Sequence, residues 1–327
     1  MPVVSDSHVT HEDLLAFAEE RVNLRRSDVS AERQQVQRLR DRLAEHIADH
    51  PDFALVKMLN AGSLPKGTAL RTINDVDVAV YLRAQDAPQS TPDLIDVLTG
   101  LLRQAYPRLR ADQFEPKKHC VTLSFVGTGL DVDVVPVLYE GGPGDAGYLI
   151  TKDTGDRVLT NVSQHIEFVR KRKTAHPHHF RQLIRFMKWW ARQRKLADAD
   201  FRCKSFLIEL LVAHLFDAGL DGSDYPAALM SIFAFMVKTG MRGPIAFSDH
   251  YALSDLPKDD TAAMRFYDPV NPENNIVARY KEASRERLVE AAADALDAIS
   301  YARYATTKTA AVAQWRTVFG PSFSVSA

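Results

Sequence analysis

Cysteine is nearly missing from this chain: Cys120 and Cys203 are the only two in 327 residues. They form neither a Cys-x-x-Cys pair nor a disulfide framework, which excludes a cysteine-built structural zinc site and points to a reducing compartment. Long apolar runs are missing too. No stretch approaches 18 consecutive apolar residues, and Met1 to Val22 has no basic start followed by an apolar core, so the expectation is a cytoplasmic protein with no membrane partner. Nor is there an excess of one charge: 41 Lys and Arg face 42 Asp and Glu, for a net charge of -1. Coating nucleic acid by counterion release needs a strong cationic surplus, so a stable nucleic-acid partner is not expected and any polyanion site must be local. Gly and Pro are few, at 15 and 16, so little of the chain should lack structure. No repeat recurs at a fixed period, which argues against a solenoid.

What remains is a chain long enough for a large core, as one two-lobed unit or two domains. Val36, Leu39, Leu43 and Ile47 recur at helical spacing and predict a long amphipathic helix that ends before His50-Pro51-Asp52. Short strand-like stretches follow at 53 to 59, 75 to 82, 120 to 126 and 130 to 138, with a helical pattern near 92 to 106. Glu140 to Gly147, rich in glycine, reads as a loop leading away from the sheet. Beyond about residue 160 the pattern turns helical, through Leu183, Ile184, Met187 and Trp190, then Phe206, Leu207, Leu210, Leu211 and Leu215, then Leu288, Ala292, Leu296 and Ile299. The predicted class is α+β, with a first domain at 1–160 holding an N-terminal helix and a mixed sheet, and a helical lobe at 161–327.

The strands at 75 and 130 carry the chemistry. Alternation puts Asp75 and Asp77 on one face with Val76, Val78 and Val80 on the other, and Leu130-Asp-Val-Asp-Val-Val-Pro repeats the pattern with Asp131 and Asp133. Clustered carboxylates repel one another unless a cation or proton neutralises them. Hard oxygen donors suit Mg2+ or Mn2+, and two such ions roughly 3.5–4 Å apart can hold both oxygens of a phosphoryl transfer. A lone D-x-D most often lies on a solvated strand face; here the Gly62-Ser63 turn just upstream and the second acidic strand change that reading. Glycine allows close backbone approach, and a Ser hydroxyl with exposed amides can bind phosphate. Gly67-Thr68 offers a second such turn, and Lys66 is a further candidate for phosphate contact.

The pattern Gly62-Ser63, Gly67-Thr68, Asp75-x-Asp77 and Asp133 resembles the polymerase-β-like nucleotidyltransferases. More narrowly, it is similar to the branch of oligoadenylate synthase, cyclic GMP-AMP synthase and the bacterial CD-NTases. Leu183-Ile-Arg-Phe-Met-Lys-Trp-Trp resembles the family helix whose Lys reaches the donor triphosphate, which implies that role for Lys188. Lys204-Ser-Phe-Leu-Ile-Glu-Leu-Leu resembles the segment with a phosphate-binding polar residue at Ser205, followed by a base-stacking aromatic at Phe206. Tyr267-Asp-Pro-Val-Asn-Pro-Glu-Asn-Asn-Ile is similar to a segment near the end of such lobes and is assigned no chemical role. Residues 170 to 195 hold ten Lys and Arg and no acid, a local basic region suited to a triphosphate. Trp189 and Trp190 read as core packing, and His176, His178 and His179, without acidic or thiol partners nearby in sequence, do not read as a metal site. The zinc-thumb cysteines of the animal sensors are missing, which favours the bacterial relatives.

The resemblance implies an enzyme in which Asp75, Asp77 and Asp133 hold two Mg2+ (or Mn2+) ions, while Gly62, Ser63, Lys188, Ser205 and Phe206 hold the nucleotide. Its substrates would be nucleoside triphosphates, joined into a cyclic di- or trinucleotide with loss of pyrophosphate. The product would be sensed by a separate effector protein in bacterial antiphage (CBASS) signalling. Alternatives are a template-independent transferase making linear oligonucleotides or modifying RNA or a small molecule, and an inactive nucleotide-binding scaffold.

Overall fold

The computed structural model describes residues 8–325, apart from 49–53, 73–74, 84–93 and 142–143. The helix stop at His50-Pro51-Asp52, the strand start at Phe53 and the first two residues of the 92–106 helix lie outside the described residues. By its contacts the chain forms two compact units: Leu24–Phe168, and the residues up to Asn23 together with those from Val169 on.

In the first unit, a long helix α2 (Arg26–Ala48) precedes β1 (Leu55–Ala61), the one-turn helix α3 (Ser63–Lys66) and β2 (Asp75–Arg83). Then come α4 (Leu94–Ala105), β3 (Phe114–Pro116), β4 (Val121–Phe125), β5 (Leu130–Tyr139), β6 (Ala146–Ile150) and β7 (Arg157–Asn161). The strand order is β1-β2-β5-β4-β3, with β6 paired to β5 and β7 to β6; β2 and β5 are parallel and the other pairs antiparallel. The predicted helix stripe Val36, Leu39, Leu43 and Ile47 is buried against one face of this sheet, together with Ile95, Leu98 and Leu102 of α4. From the sheet, Val76, Val78, Val80, Val132 and Val134 complete that core. Each fully buried Leu or Val there contributes about 1.5–3 kcal/mol relative to exposure. On the opposite face Ala79, Tyr81 and Val137 form a smaller cluster with Val162.

The predicted loop at Glu140 to Gly147 is corrected at its end, because Ala146 and Gly147 open β6 and the chain returns to the sheet instead of leaving it. Gly147 is there for close packing: a Cβ would lie 2.6 Å from Val137 Cγ1 and 2.7 Å from the Leu138 carbonyl oxygen.

The second unit is mainly helical: α1 (His11–Phe17), the later part of α5 (Val162–Ala175), α6 (Phe180–Ala197), α7 (Ser205–Asp217), α8 (Tyr225–Thr239), α9 (Glu282–Arg303) and α10 (Lys308–Phe319). The predicted stripes on α6, α7 and α9 are buried in its core, except that Phe206 of α7 and Leu296 of α9 are only half-buried. The expected boundary near residue 160 differs from the contacts in two ways. It falls within α5, at Phe168, and α1 belongs with the helical unit. The second difference follows from Phe17, which stacks on Phe319 and meets Trp189 and Phe323 edge-on. Tyr267–Asp268 (β8) and Asn271–Asn275 (β9) form a short hairpin, in which Asp268 accepts hydrogen bonds from the Val270 amide and Asn274 Nδ2. The Asp-Pro segment thus has a local structural role. Among the described residues no helix is long and apolar enough to cross a membrane.

Candidate active site

Strand register gathers the acidic residues. Parallel β2 and β5 pair Asp75 with Asp131 and Asp77 with Asp133. Alternation sends all four toward the face of Ala79 and Tyr81, away from the valine core. Adjacent strands lie roughly 4.8 Å apart, so paired aspartates start within reach of one shared cation. Asp75 is exposed, while Asp77 and Asp133 are half-buried. Among the described residues no three acidic, His or Cys side chains converge as a ready-made metal cluster. The carboxylates are collected by register, not by a preformed ligand cage.

Antiparallel pairing of β1 with β2 sets Ala61 opposite Asp77, so Gly62 and Ser63 follow at once beside that carboxylate. Gly62 has φ 67° and ψ -147°, and a Cβ on it would lie 1.8 Å from Asp77 Oδ2 and 2.8 Å from Asp77 Cγ. Only glycine lets the backbone pass this close. Ser63 then opens α3, which closes through Gly67 N donating to the Leu64 carbonyl and Thr68 N to the Ser63 carbonyl, both at 3.0 Å. Gly67 is left-handed at φ 70° and Thr68 is fully buried. The Gly67-Thr68 turn therefore terminates α3, with its amides already engaged, and offers no second phosphate cradle.

Asp133 Oδ1 accepts a hydrogen bond from Thr122 Oγ1 and lies 3.5 Å from the Lys117 ammonium. Burial, and then the neighbouring Asp133 carboxylate, push the Cys120 thiol up to about 12, with Asp77 adding in the same direction. Lys117, Cys120 and Thr122 were not found as site residues in the sequence. Alternation could have found Thr122, since β4 runs antiparallel to β5 with Thr122 opposite Asp133. The residues fit a divalent cation: hard oxygens share one face, a glycine backbone lies against one of them, and a side-chain cation already accompanies another.

In the helical unit Ser205 is exposed at the first position of α7, a 13-residue helix, and Phe206 beside it is half-buried. The Lys188 ammonium does not reach into solvent. It is buried on α6 and donates to Glu209 Oε1 of α7 at 2.7 Å, with the two side chains 5% and 3% exposed. Glu209 sits one turn after Ser205, so the pair fixes α6 to the start of α7. Removing one member of a buried pair strands the other charge, so Lys188→Met is expected to destabilise by about 3–5 kcal/mol, and Lys188→Met with Glu209→Met by much less. Urea unfolding of the single and double variants checks this.

The basic run of 170–195 is partly neutralised by carboxylates distant in sequence. Arg172 pairs with Asp217 and Asp249, Lys171 with Asp249, and Arg194 with Asp294. Burial raises the Asp249 carboxyl, but hydrogen bonds from Arg172 and Lys171 prevail and hold it below its usual range. Trp189 donates to the Phe319 carbonyl at 2.9 Å, and Trp190 packs edge-on against Phe201 and Phe233, as their reading as core predicts. His176 packs on Phe216 and His179 edge-on to Tyr225.

No family model matches the chain. A cyclic AMP-AMP-AMP synthase from Escherichia coli (strain MS 115-1) is 45% identical over 326 residues, 98% of this chain and 99% of the relative. The chain belongs to the CD-NTase family. A CBASS oligonucleotide cyclase, CdnC, from Escherichia coli (strain KTE188) is 30% identical over 89% of this CD-NTase and 90% of its own length. The solved structure of E. coli MS115-1 CdnC with ATP has a TM-score of 0.87 at 45% identity, covering 97% of this chain and 99% of that one; CdnC of that strain is also known in complex with a HORMA-domain protein. The CD-NTase described here is accordingly a nucleotidyltransferase of the oligonucleotide-cyclase type, acting on nucleoside triphosphates, with an α+β polymerase-β-like fold.

Proposed function

We propose that this CD-NTase joins three ATP molecules into cyclic tri-AMP, releasing pyrophosphate at each of the three bonds. The observation that carries this reading is the register of Asp77 with Asp133 and of Asp75 with Asp131 on one sheet face, beside the Gly62-Ser63 turn. The choice of ATP and of a three-membered ring rests on the 45% identical cyclic AMP-AMP-AMP synthase.

In this reading Asp75, Asp77 and Asp133 would hold two Mg2+ or Mn2+ ions, which would supply positive charge to the triphosphate and acidify the ribose hydroxyl. The Gly62-Ser63 turn orients the phosphates through its amides and the Ser63 hydroxyl. Asp133 lies beside the attacking hydroxyl and accepts its proton as the new bond forms at the α-phosphate. Ser205 contacts phosphate at the start of α7, and Phe206 stacks on the base. Lys188 acts on phosphate through the position it gives α7, by way of Glu209. The product is a second messenger sensed by a separate effector in CBASS antiphage signalling in the cytoplasm, and a HORMA-domain protein is a candidate partner for the synthase.

Incubation with all four labelled nucleoside triphosphates and Mg2+, followed by phosphatase and mass spectrometry, tests this. The expected product is a phosphatase-resistant cyclic trimer of AMP. A product that loses terminal phosphate to the enzyme would establish linear oligonucleotides and overturn the cyclase reading.

A further inference from the structure

The turn between β3 and β4, residues 117 to 120, sits at the carboxylates and has no place in the reading above. It is held rigidly. Lys117 N donates to the Cys120 carbonyl at 2.8 Å, Lys152 N donates to the Lys118 carbonyl at 2.8 Å, and His119 Nδ1 lies 3.1 Å from the Ile150 carbonyl oxygen. A fixed turn fixes where the first atoms of the Lys117 side chain start. From there its ammonium reaches 3.5 Å from Asp133 Oδ1, the same oxygen that accepts from Thr122, and 3.9 Å from Glu115. Lys117 is 43% exposed, Asp133 24% and Glu115 69%, so of the two carboxylates Asp133 is the better shielded partner.

A carboxylate held among other carboxylates needs a cation nearby, and here the chain supplies one. We propose that Lys117 is the resident counter-ion of Asp133: it holds that carboxylate until a divalent ion arrives with the triphosphate, and so raises the metal concentration at which the site fills. Lys117 is a positioning residue in this scheme, acting through Asp133. The ammonium and the metal compete for one oxygen, and the long flexible stem of lysine lets the ammonium withdraw to Glu115 or solvent without moving the turn. The proposal rests on Asp133 being a metal ligand.

The test is Mn2+ binding, read from the free-ion electron paramagnetic resonance signal, with a saturating non-hydrolysable ATP analogue. Wild-type protein is compared with Lys117→Met, Lys117→Arg and Asp133→Asn. A partly exposed ion pair of this kind is worth up to about 1 kcal/mol, so Lys117→Met should lower the Mn2+ midpoint roughly two- to fivefold. Lys117→Arg keeps the charge and should stay near the wild-type midpoint. Melting in EDTA should be depressed in Lys117→Met more than melting with Mn2+ and analogue, whereas loss of a merely structural contact would lower both alike. An unchanged or higher Mn2+ midpoint in Lys117→Met, with binding weakened in Asp133→Asn, overturns the role of Lys117 alone. Undiminished Mn2+ binding in Asp133→Asn overturns the metal-ligand reading beneath it.

Discussion

Asp77→Asn is expected to cut oligonucleotide synthesis at least about a thousandfold, equivalent to roughly 4 kcal/mol of lost transition-state stabilisation. Asn keeps the size and shape of the side chain and removes only the charge that would hold the metal. Asp77 shares its face with Asp75, Asp131 and Asp133. Removing one negative charge from that row relieves repulsion, so the melting temperature in EDTA should be unchanged or higher. Pyrophosphate release and a thermal melt on the same preparation check both halves. Loss of activity accompanied by loss of the folded state would leave the carboxylate account without support.

The second large effect lies in a residue with no side chain. Gly62→Ala puts a Cβ 1.8 Å from Asp77 Oδ2 at a φ of 67°. The backbone conformation costs about 1–3 kcal/mol for a residue with a Cβ. The contact forces the Asp77 carboxylate aside, and a displacement of about 1 Å in a catalytic group can cost a hundredfold in rate. Gly129→Ala separates the two contributions. Gly129 has φ 68°, yet nothing lies within 4 Å of its added Cβ. Both variants should lose stability in urea, and only Gly62→Ala should lose about a hundredfold in activity.

What the sequence made legible was what alternation and helical spacing control. Val76, Val78 and Val80 against Asp75 and Asp77 fixed which face of β2 is core and which carries charge, and the structure keeps that division. The stripe of α2 was equally clear, because Val36, Leu39, Leu43 and Ile47 all meet one sheet face. Strand β6 is hidden because Gly147 looks like turn chemistry. Its real cause is the backbone of β5 passing beneath it, which only the folded sheet supplies. Lys188 illustrates a different limit. Its counter-ion Glu209 comes from the next helix, so a cation that looked available for phosphate is committed to a buried pair. Lys117 reaches Asp133 only through the register of three antiparallel strands, and no local pattern announces it.

The most direct test of the central claim is the mass of the phosphatase-resistant product made from ATP and Mg2+, with wild-type protein beside an equally folded Asp77→Asn variant. The account predicts cyclic tri-AMP from the wild type, one pyrophosphate released per bond formed, and no detectable cyclic product from the variant. Cyclic product from Asp77→Asn at a rate close to that of the wild type would contradict it.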